Sequence, residues 1–181
     1  MECAGRAKAA TALSLGTLSL NREGPKRRRR LALPAPSKVA MIDVINRQRR
    51  RTIETKRWRA FGEEALKSIG AKKPNVTIVF VGDNAIKELN HRFRGKDYAT
   101  DVLSFPCAAE PFEKENRSQL GEVVISVPRA TAQARSNRLS FENEVKQLIL
   151  HGLLHLCGYD HEIDNGEMNR LELRLRKRLG I

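Results

Sequence analysis

Three of the four histidines in this 181-residue chain fall within one short segment, HGLLHLCGYDH. On a helix, His151 and His155 would lie on one face, with Cβ atoms roughly 5 to 6 Å apart. Gly158 can adopt the positive φ that ends a helix, which would let the chain fold back and bring His161 to the same point. Three protein ligands leave one coordination position of a metal for water or substrate. The spacing therefore predicts a catalytic metal site formed by His151, His155 and His161.

The three imidazoles favour one divalent ion per chain, with zinc first, although imidazole also suits nickel, copper and iron. Cys157 lies in the same segment, but at about 100° per residue it points about 200° away from His155. We therefore interpret it as a small buried residue. Asp160 and Glu162 flank His161, and their carboxylates could orient an imidazole or could simply be solvated.

The same histidine spacing occurs in the metzincin peptidases, so a zinc peptidase is an alternative. Those enzymes have a glutamate directly after the first histidine, and this glutamate acts as the general base. Gly152 occupies that position here. Because glycine has no side chain to accept or donate a proton, the sequence disfavours a peptidase.

The charge of the chain is uneven. Lysine and arginine number 34 against 21 aspartates and glutamates, which gives a net charge of +13. Residues 1–40 hold 9 basic and 2 acidic residues, so residues 41–181 keep a net charge of +6. A mildly basic body suits a polyanion such as RNA, although charge alone indicates only non-specific attraction. The three cysteines cannot all pair, so we expect no disulfide partner and a reducing compartment.

Residues 1–40 differ from the rest, with a KRRRR run at 26–30 and a proline-rich stretch at 33–37. An arginine-rich, acid-poor leader is typical of an organellar transit peptide, and the basic run alone would suit a nuclear signal or a nucleic-acid arm. Alternatively, Met41 is the true start and the leader is upstream sequence. No stretch has the roughly 20 apolar residues needed to span a membrane. We expect a disordered leader followed by a single domain at 41–181.

Several elements must position the histidines. Apolar periodicity and turn residues predict strands at 42–45, 76–81, 102–105 and 122–127. Helices are predicted at 54–69, at 83–93 with Asp83 as cap, from 128 to about 138, from Ser140, and after a cap at Asp164 or Asn165. This pattern favours an α+β domain with a mixed four-stranded sheet and about five helices.

The helix that begins after Ser140 carries two of the histidines. It is apolar on nearly all sides from 148 to 156, which is typical of a helix enclosed by protein. We therefore expect a zincin-like central helix. In the helix at 83–93, the residues expected to face inward are Ile86, Leu89 and Phe93. The last helix should turn Met168, Leu171, Leu175 and Leu179 inward, and Arg174, Arg176, Lys177 and Arg178 outward.

Three blocks of the chain resemble the YbeY family of metal-dependent endoribonucleases and ribosomal RNA maturation factors. They are RGKDYATDVLSFP at 94–106, LGEVVIS at 120–126 and the histidine segment at 151–161. The resemblance covers residues 41–181, and it implies that the three histidines bind the metal and that Arg94 is the functional arginine. The sequence departs from the family pattern at Ala99, where proline is common, and at Glu122, where aspartate is common.

The resemblance further implies cleavage of single-stranded RNA, with a role in small-subunit rRNA 3′-end processing and ribosome quality control. It also implies contact with the small ribosomal subunit and its proteins, in the cytoplasm or, if residues 1–40 are a transit peptide, in an organelle. The main alternative is a non-catalytic, RNA-binding ribosome-assembly factor with a structural metal.

Arg94 could hold the scissile phosphate, because a guanidinium offers a phosphate two parallel donors. A metal would lower the pKa of water toward about 7 and polarise a phosphoryl oxygen. Asp160, Glu122 and Ser104 are further candidates for supporting a ligand or lining the pocket. No residue stands out as a general base, and the sequence does not choose the attacking group.

Overall fold

The computed structural model describes residues 41–72, 75–107 and 119–181. In these ranges the elements follow in the order β1 (Ile42–Asn46), α1 (Thr55–Ile69), β2 (Asn75–Val81), α2 (Asp83–Arg94), β3 (Val102–Pro106), β4 (Gln119–Ser126), α3 (Val127–Ser136), α4 (Phe141–Leu156) and α5 (Glu167–Leu179). None of these helices is long and apolar enough to cross a membrane. The leader predicted at 1–40 lies outside the described residues.

The strands within the described ranges form one four-stranded sheet in the order β1-β2-β4-β3. β1 and β4 each pair with β2 in parallel, and β3 pairs with β4 in the antiparallel direction. The sheet is therefore mixed, which confirms the predicted α+β domain with five helices.

The two faces of the sheet are covered by different helices, because successive residues of a strand point to opposite faces. On one face, Ile78 and Phe80 of β2 and Val123 of β4 share a buried core with Trp58 and Phe61 of α1. A second buried core holds Ile86 of α2, Leu103 of β3 and Val124 of β4. The apolar residues on both faces of β2 and β4 are thus buried or partly buried, as expected for central strands, although Glu122 of β4 is exposed.

The central position of α4 is confirmed. Ile149 and Leu153 belong to the core on the sheet, whereas Leu150 and Leu154 are buried against Met168 and Leu175 of α5. All four α4 residues have no exposed surface, and burial of a leucine or isoleucine side chain contributes about 1.5 to 3 kcal/mol. Packing on two sides therefore fixes the helix that carries His151 and His155.

Most differences from the predicted boundaries concern caps. Val127 begins α3 rather than ending β4, because the Ser126 hydroxyl accepts a hydrogen bond from the Arg129 amide and caps the helix. Asp83 is not the cap of α2 but its first residue, and its carboxylate accepts a hydrogen bond from the Ser126 hydroxyl at 2.6 Å. The first contact is a local helix cap, whereas the second joins two helix starts that are distant in sequence.

Two further expectations about helix ends were wrong. Gly166, with φ 80°, precedes α5, although the Asp164 carboxylate still accepts hydrogen bonds from the amides of Gly166 and Met168. Phe93 does not face inward but is 58% exposed. It lies in the last turn of α2, and its ring contacts that of Phe105 on the edge strand β3, with ring centroids 5.0 Å apart.

Candidate metal centre

The three predicted histidine ligands meet at one point. The Nε2 atoms of His151 and His155, one turn apart on α4, are separated by 3.1 Å. The ring centroid of His161 lies 5.3 Å from that of His151 and 5.2 Å from that of His155. One nitrogen of each ring lies within 4.8 Å of the others, so the geometry suits one shared divalent ion.

A tight turn after α4 brings His161 to this cluster. Gly158 has φ 91°, as predicted, and its amide donates to the carbonyl oxygen of His155 at 3.0 Å. The Asp160 carboxylate then accepts a hydrogen bond from the Glu162 amide at 3.0 Å. These local bonds shape the segment that carries His161, and the adjacent Glu162 is also paired with Arg94 of α2.

The surroundings of His155 also favour its uncharged form. Burial lowers the pKa of His155 from the usual 6.5, and the neighbouring His151 and His161 lower it further, while the Asp160 carboxylate partly opposes the shift. A metal ligand must offer an unprotonated nitrogen. The lowered pKa of His155 therefore prepares it to bind a cation near neutral pH.

A cavity of about 890 Å³ opens over the three histidines. Its lining contains four carboxylates and three cationic side chains, namely Asp101, Glu144, Asp160 and Glu162 against Arg94, Lys96 and Arg176. A divalent ion held by the imidazoles would reverse this small negative excess. The donor set and the surrounding charge therefore both fit a metal.

Arg94 lies at the end of α2 and lines the cavity, as the functional prediction requires. Its Nη2 lies 3.1 Å from the Glu162 Oε1, and 44% of its side chain is exposed. Exposed ion pairs of this kind contribute only about 0 to 1 kcal/mol. The guanidinium can therefore leave the Glu162 carboxylate for another anion at little cost in free energy.

The other candidate site residues divide into two groups. Asp160 and Ser104 line the cavity, and the Ser104 hydroxyl donates to the Gly152 carbonyl oxygen at 3.2 Å. Glu122 is exposed on β4 and is not among the cavity-lining residues. Cys157 packs against the main core instead of joining the histidines, and burial raises the pKa of its thiol. Within the described ranges, Cys107 and Cys157 form no disulfide.

Gly152 packs closely against the sheet at Val123 of β4 and Ser104 of β3. A Cβ atom at this position would lie 2.7 Å from Cγ1 of Val123 and 3.1 Å from the Ser104 hydroxyl oxygen. There is consequently no room for the glutamate that metzincin peptidases use as general base at this position. The packing of α4 on β4 supports the sequence argument against a peptidase.

Two residues near the histidines were not identified from the sequence. Glu172 on α5 is only 5% exposed, and its Oε2 lies 3.1 Å from His151 Nδ1. Burial alone would raise the pKa of Glu172, but hydrogen bonds from His151 and Arg176 outweigh burial and lower it. Arg176 was expected to face outward with Arg174, Lys177 and Arg178, which are exposed. Instead, it lines the cavity and pairs with the Glu172 carboxylate.

The sequence contains one signal for Glu172, because this acidic residue lies between Leu171 and Leu175, two of the residues expected to face inward on the last helix. The spacing of Glu172 and Arg176 is also that of an ion pair on one helix face. Their approach to His151 depends on how α5 packs against α4, which no local pattern contains.

Comparison with known proteins identifies the family of this chain. A family model described as Endoribonuclease YbeY matches residues 43–180. Proteins named Endoribonuclease YbeY include one from Geobacter metallireducens, 36% identical over 77% of this chain and 94% of its own length, and one from Nautilia profundicola, 47% identical over 59% of this chain and 73% of its own length. A solution structure from Thermotoga maritima has a TM-score of 0.52 and 28% identity, covering 77% of this chain and 89% of the other. This chain therefore belongs to the endoribonuclease YbeY family.

Proposed function

We propose that this endoribonuclease uses a zinc ion to cleave single-stranded RNA during small-subunit rRNA maturation, at the 3′ end of the rRNA, and in ribosome quality control. The observation that carries the proposal is the convergence of three imidazoles in an open cavity that also contains Arg94. The family supplies the endoribonuclease activity, and the cavity supplies the residues that could perform it.

In this proposal His151, His155 and His161 hold one zinc ion per chain. Zinc is preferred because three neutral nitrogen ligands with one open position are typical of catalytic zinc sites. An ion in such a site supplies activation of water and polarisation of a phosphoryl oxygen. The lowered pKa of His155 keeps its nitrogen available for the ion near neutral pH.

Arg94 binds the scissile phosphate in this proposal. Its planar guanidinium offers two donors to the phosphate oxygens and stabilises the negative charge that gathers on them during cleavage. Lys96, which lines the same cavity, adds positive charge for a neighbouring phosphate. The weak contact with Glu162 holds the Arg94 side chain over the cavity until RNA arrives.

An unpaired strand suits this site better than a duplex. In single-stranded RNA the bases are free to turn away from the backbone, so a phosphate can enter a cavity while the bases stack outside it. Tyr98 lines the cavity and is 55% exposed, which makes its ring available for such stacking. These features favour a flexible end or loop of a ribosomal RNA precursor.

The proposed setting is the small ribosomal subunit and its proteins, in the cytoplasm or, if residues 1–40 are a transit peptide, in an organelle. The net charge of +6 on residues 41–181 supports association with a ribosomal particle, because basic proteins are attracted to the phosphates of its RNA.

The proposal is tested with a small-subunit rRNA precursor carrying its unpaired 3′ extension, and with the same extension annealed to a complementary strand. Cleavage should occur in the unpaired extension, stop with a chelator and return with zinc. The Glu64→Gln variant, altered at an exposed α1 position, is a matched control and should behave as the parent. Equal cleavage of the paired extension, or full activity without metal in a folded protein, would contradict the proposal.

A further inference from the structure

We propose that Glu172 is a positioning residue of the metal centre: its carboxylate fixes the imidazole of His151 through Nδ1 and so directs Nε2 toward the ion. Arg176 holds the carboxylate from its other side. This inference rests on the metal site of the proposed function, and it assigns to α5 a part in that site.

The contacts of Glu172 occupy both of its oxygens. Oε2 lies 3.1 Å from Nδ1 of His151, and Oε1 accepts a hydrogen bond from Nε of Arg176 at 3.1 Å and a further one from its Nη2. The Glu172 side chain is only 7% exposed, whereas those of His151 and Arg176 are 28% and 31% exposed. The carboxylate therefore lies between a metal ligand and a cation, largely shielded from water.

The chemistry of these contacts determines the tautomer of His151. An ionised carboxylate can only accept hydrogen bonds, so Nδ1 of His151 must carry the proton of a neutral ring. The other nitrogen, Nε2, then keeps its lone pair, and it is this atom that lies 3.1 Å from Nε2 of His155. A carboxylate behind a ligating histidine also restricts rotation of the ring and raises the basicity of its ligand nitrogen.

Burial of the Glu172 carboxylate costs free energy of folding, and a role at the metal site would account for its place on α5. A buried carboxylate requires a charged partner and hydrogen bonds, and an apolar residue of similar volume is often equally stable or more stable. Glu172 lies beside Leu171 and Leu175, and the neighbouring core contains Leu150, Leu154 and Met168. A leucine at position 172 would therefore satisfy packing, but it would leave His151 without an acceptor for its Nδ1 proton.

The test compares Glu172→Leu, Glu172→Gln and the control Glu64→Gln in the full chain, with zinc affinity measured by competition with a chromophoric chelator. Glu172→Leu should weaken zinc binding by about 10- to 100-fold. Glu172→Gln keeps a carbonyl acceptor at the same distance along the side chain and should lose less, and the control should match the parent. Melting of the metal-free proteins is recorded in parallel.

A purely structural role for Glu172 gives the opposite pattern, namely lower melting temperatures of the metal-free variants with unchanged zinc affinity, and would overturn the inference. The tautomer of His151 is read independently by nitrogen NMR of the metal-free protein. The parent and Glu172→Gln should carry the proton on Nδ1, so a proton on Nε2 of the parent would also overturn the inference, even if Glu172→Leu did not fold. Failure of the parent itself to bind zinc would instead refute the proposed metal site.

Discussion

Replacement of Gly152 by alanine tests how closely α4 is pressed against the sheet at the metal centre. The new Cβ atom would lie 2.7 Å from Cγ1 and 3.1 Å from Cγ2 of Val123, well inside the 3.5 to 4.0 Å of an ordinary carbon contact. Val123 and Gly152 are both buried, so either the helix or the strand must shift. Overpacking of this kind costs about 1 to 3 kcal/mol.

Alanine has a higher helix propensity than glycine, and this difference stabilises the folded variant by up to about 1 kcal/mol. A contact of 2.7 Å belongs to the upper part of the overpacking range, about 2 to 3 kcal/mol. The expected net loss is therefore about 1 to 2 kcal/mol, or roughly 2 to 8 °C in melting temperature for a chain of this size. Because His151 is adjacent to Gly152 and Ser104 donates to the Gly152 carbonyl oxygen, the shift should also weaken metal binding. Thermal unfolding of the metal-loaded and metal-free Gly152→Ala variant measures both effects.

The matched control is the double variant Gly152→Ala with Val123→Ala, which removes both atoms that the new methyl group meets most closely on β4. We expect its loss of stability to be smaller than the sum of the two single losses by about 1 kcal/mol or more. Additive losses, or a Gly152→Ala variant as stable as the parent with unchanged metal affinity, would refute the close packing of α4 on β4.

Three further predictions follow from the site and the domain. Each of His151→Ala, His155→Ala and His161→Ala should reduce bound metal well below one per chain by elemental analysis, and full occupancy in all three would contradict a three-histidine site. A chain beginning at Met41 should melt like the full chain in calorimetry, since residues 1–40 contain no periodic apolar face, and a clear drop would show that the leader contributes to the core. The pKa of His155 is lower in the folded protein than in the unfolded chain. As the pH falls below 6.5, His155 is therefore protonated in the unfolded chain before it is protonated in the folded protein, and the metal-free protein should become less stable. Melting temperatures of chelator-treated protein between about pH 7.5 and pH 5.5 check this prediction. The melting temperature of His155→Gln should depend less on pH than that of the parent, and an equal pH dependence of the two proteins would contradict the prediction.

Local sequence was sufficient to predict the elements whose faces differ sharply in polarity. The apolar run of α4 and the hydroxyl cap at Ser140 predicted a buried helix, and Ser140 indeed accepts a hydrogen bond from the Asn143 amide. The positive φ of Gly158 and the histidine spacing then predicted the cluster itself. These features depend on residues that lie within about ten positions of each other in the sequence.

Contacts between distant elements could not be predicted in this way. His151 and Glu172 are 21 residues apart, and their contact requires the packing of α5 on α4. The rule that charged residues face water placed Arg176 outside, although the buried Glu172 carboxylate attracts it toward the cavity. Phe93 follows the apolar period of α2, but the edge strand β3 leaves its ring exposed.

The claim that this cavity cleaves RNA, and does not merely bind it, is tested most directly by the cleavage rate of Arg94→Ala at saturating single-stranded RNA. If Arg94 only attracted phosphate, its loss would weaken affinity modestly, reduce the salt dependence by about one unit of slope and leave the saturated rate unchanged. A role in stabilising the charge that develops at the phosphate predicts a loss of about 10²- to 10³-fold in that rate.

Arg94→Lys should recover little of the rate, because lysine lacks the planar pair of donors, and Arg178→Ala, exposed on α5, should retain the parental rate. We expect Arg94→Ala to bind RNA nearly as well as the parent and to cleave it at least about a hundredfold more slowly. Cleavage by Arg94→Ala at the parental rate under saturation would contradict the catalytic role of Arg94 in this cavity.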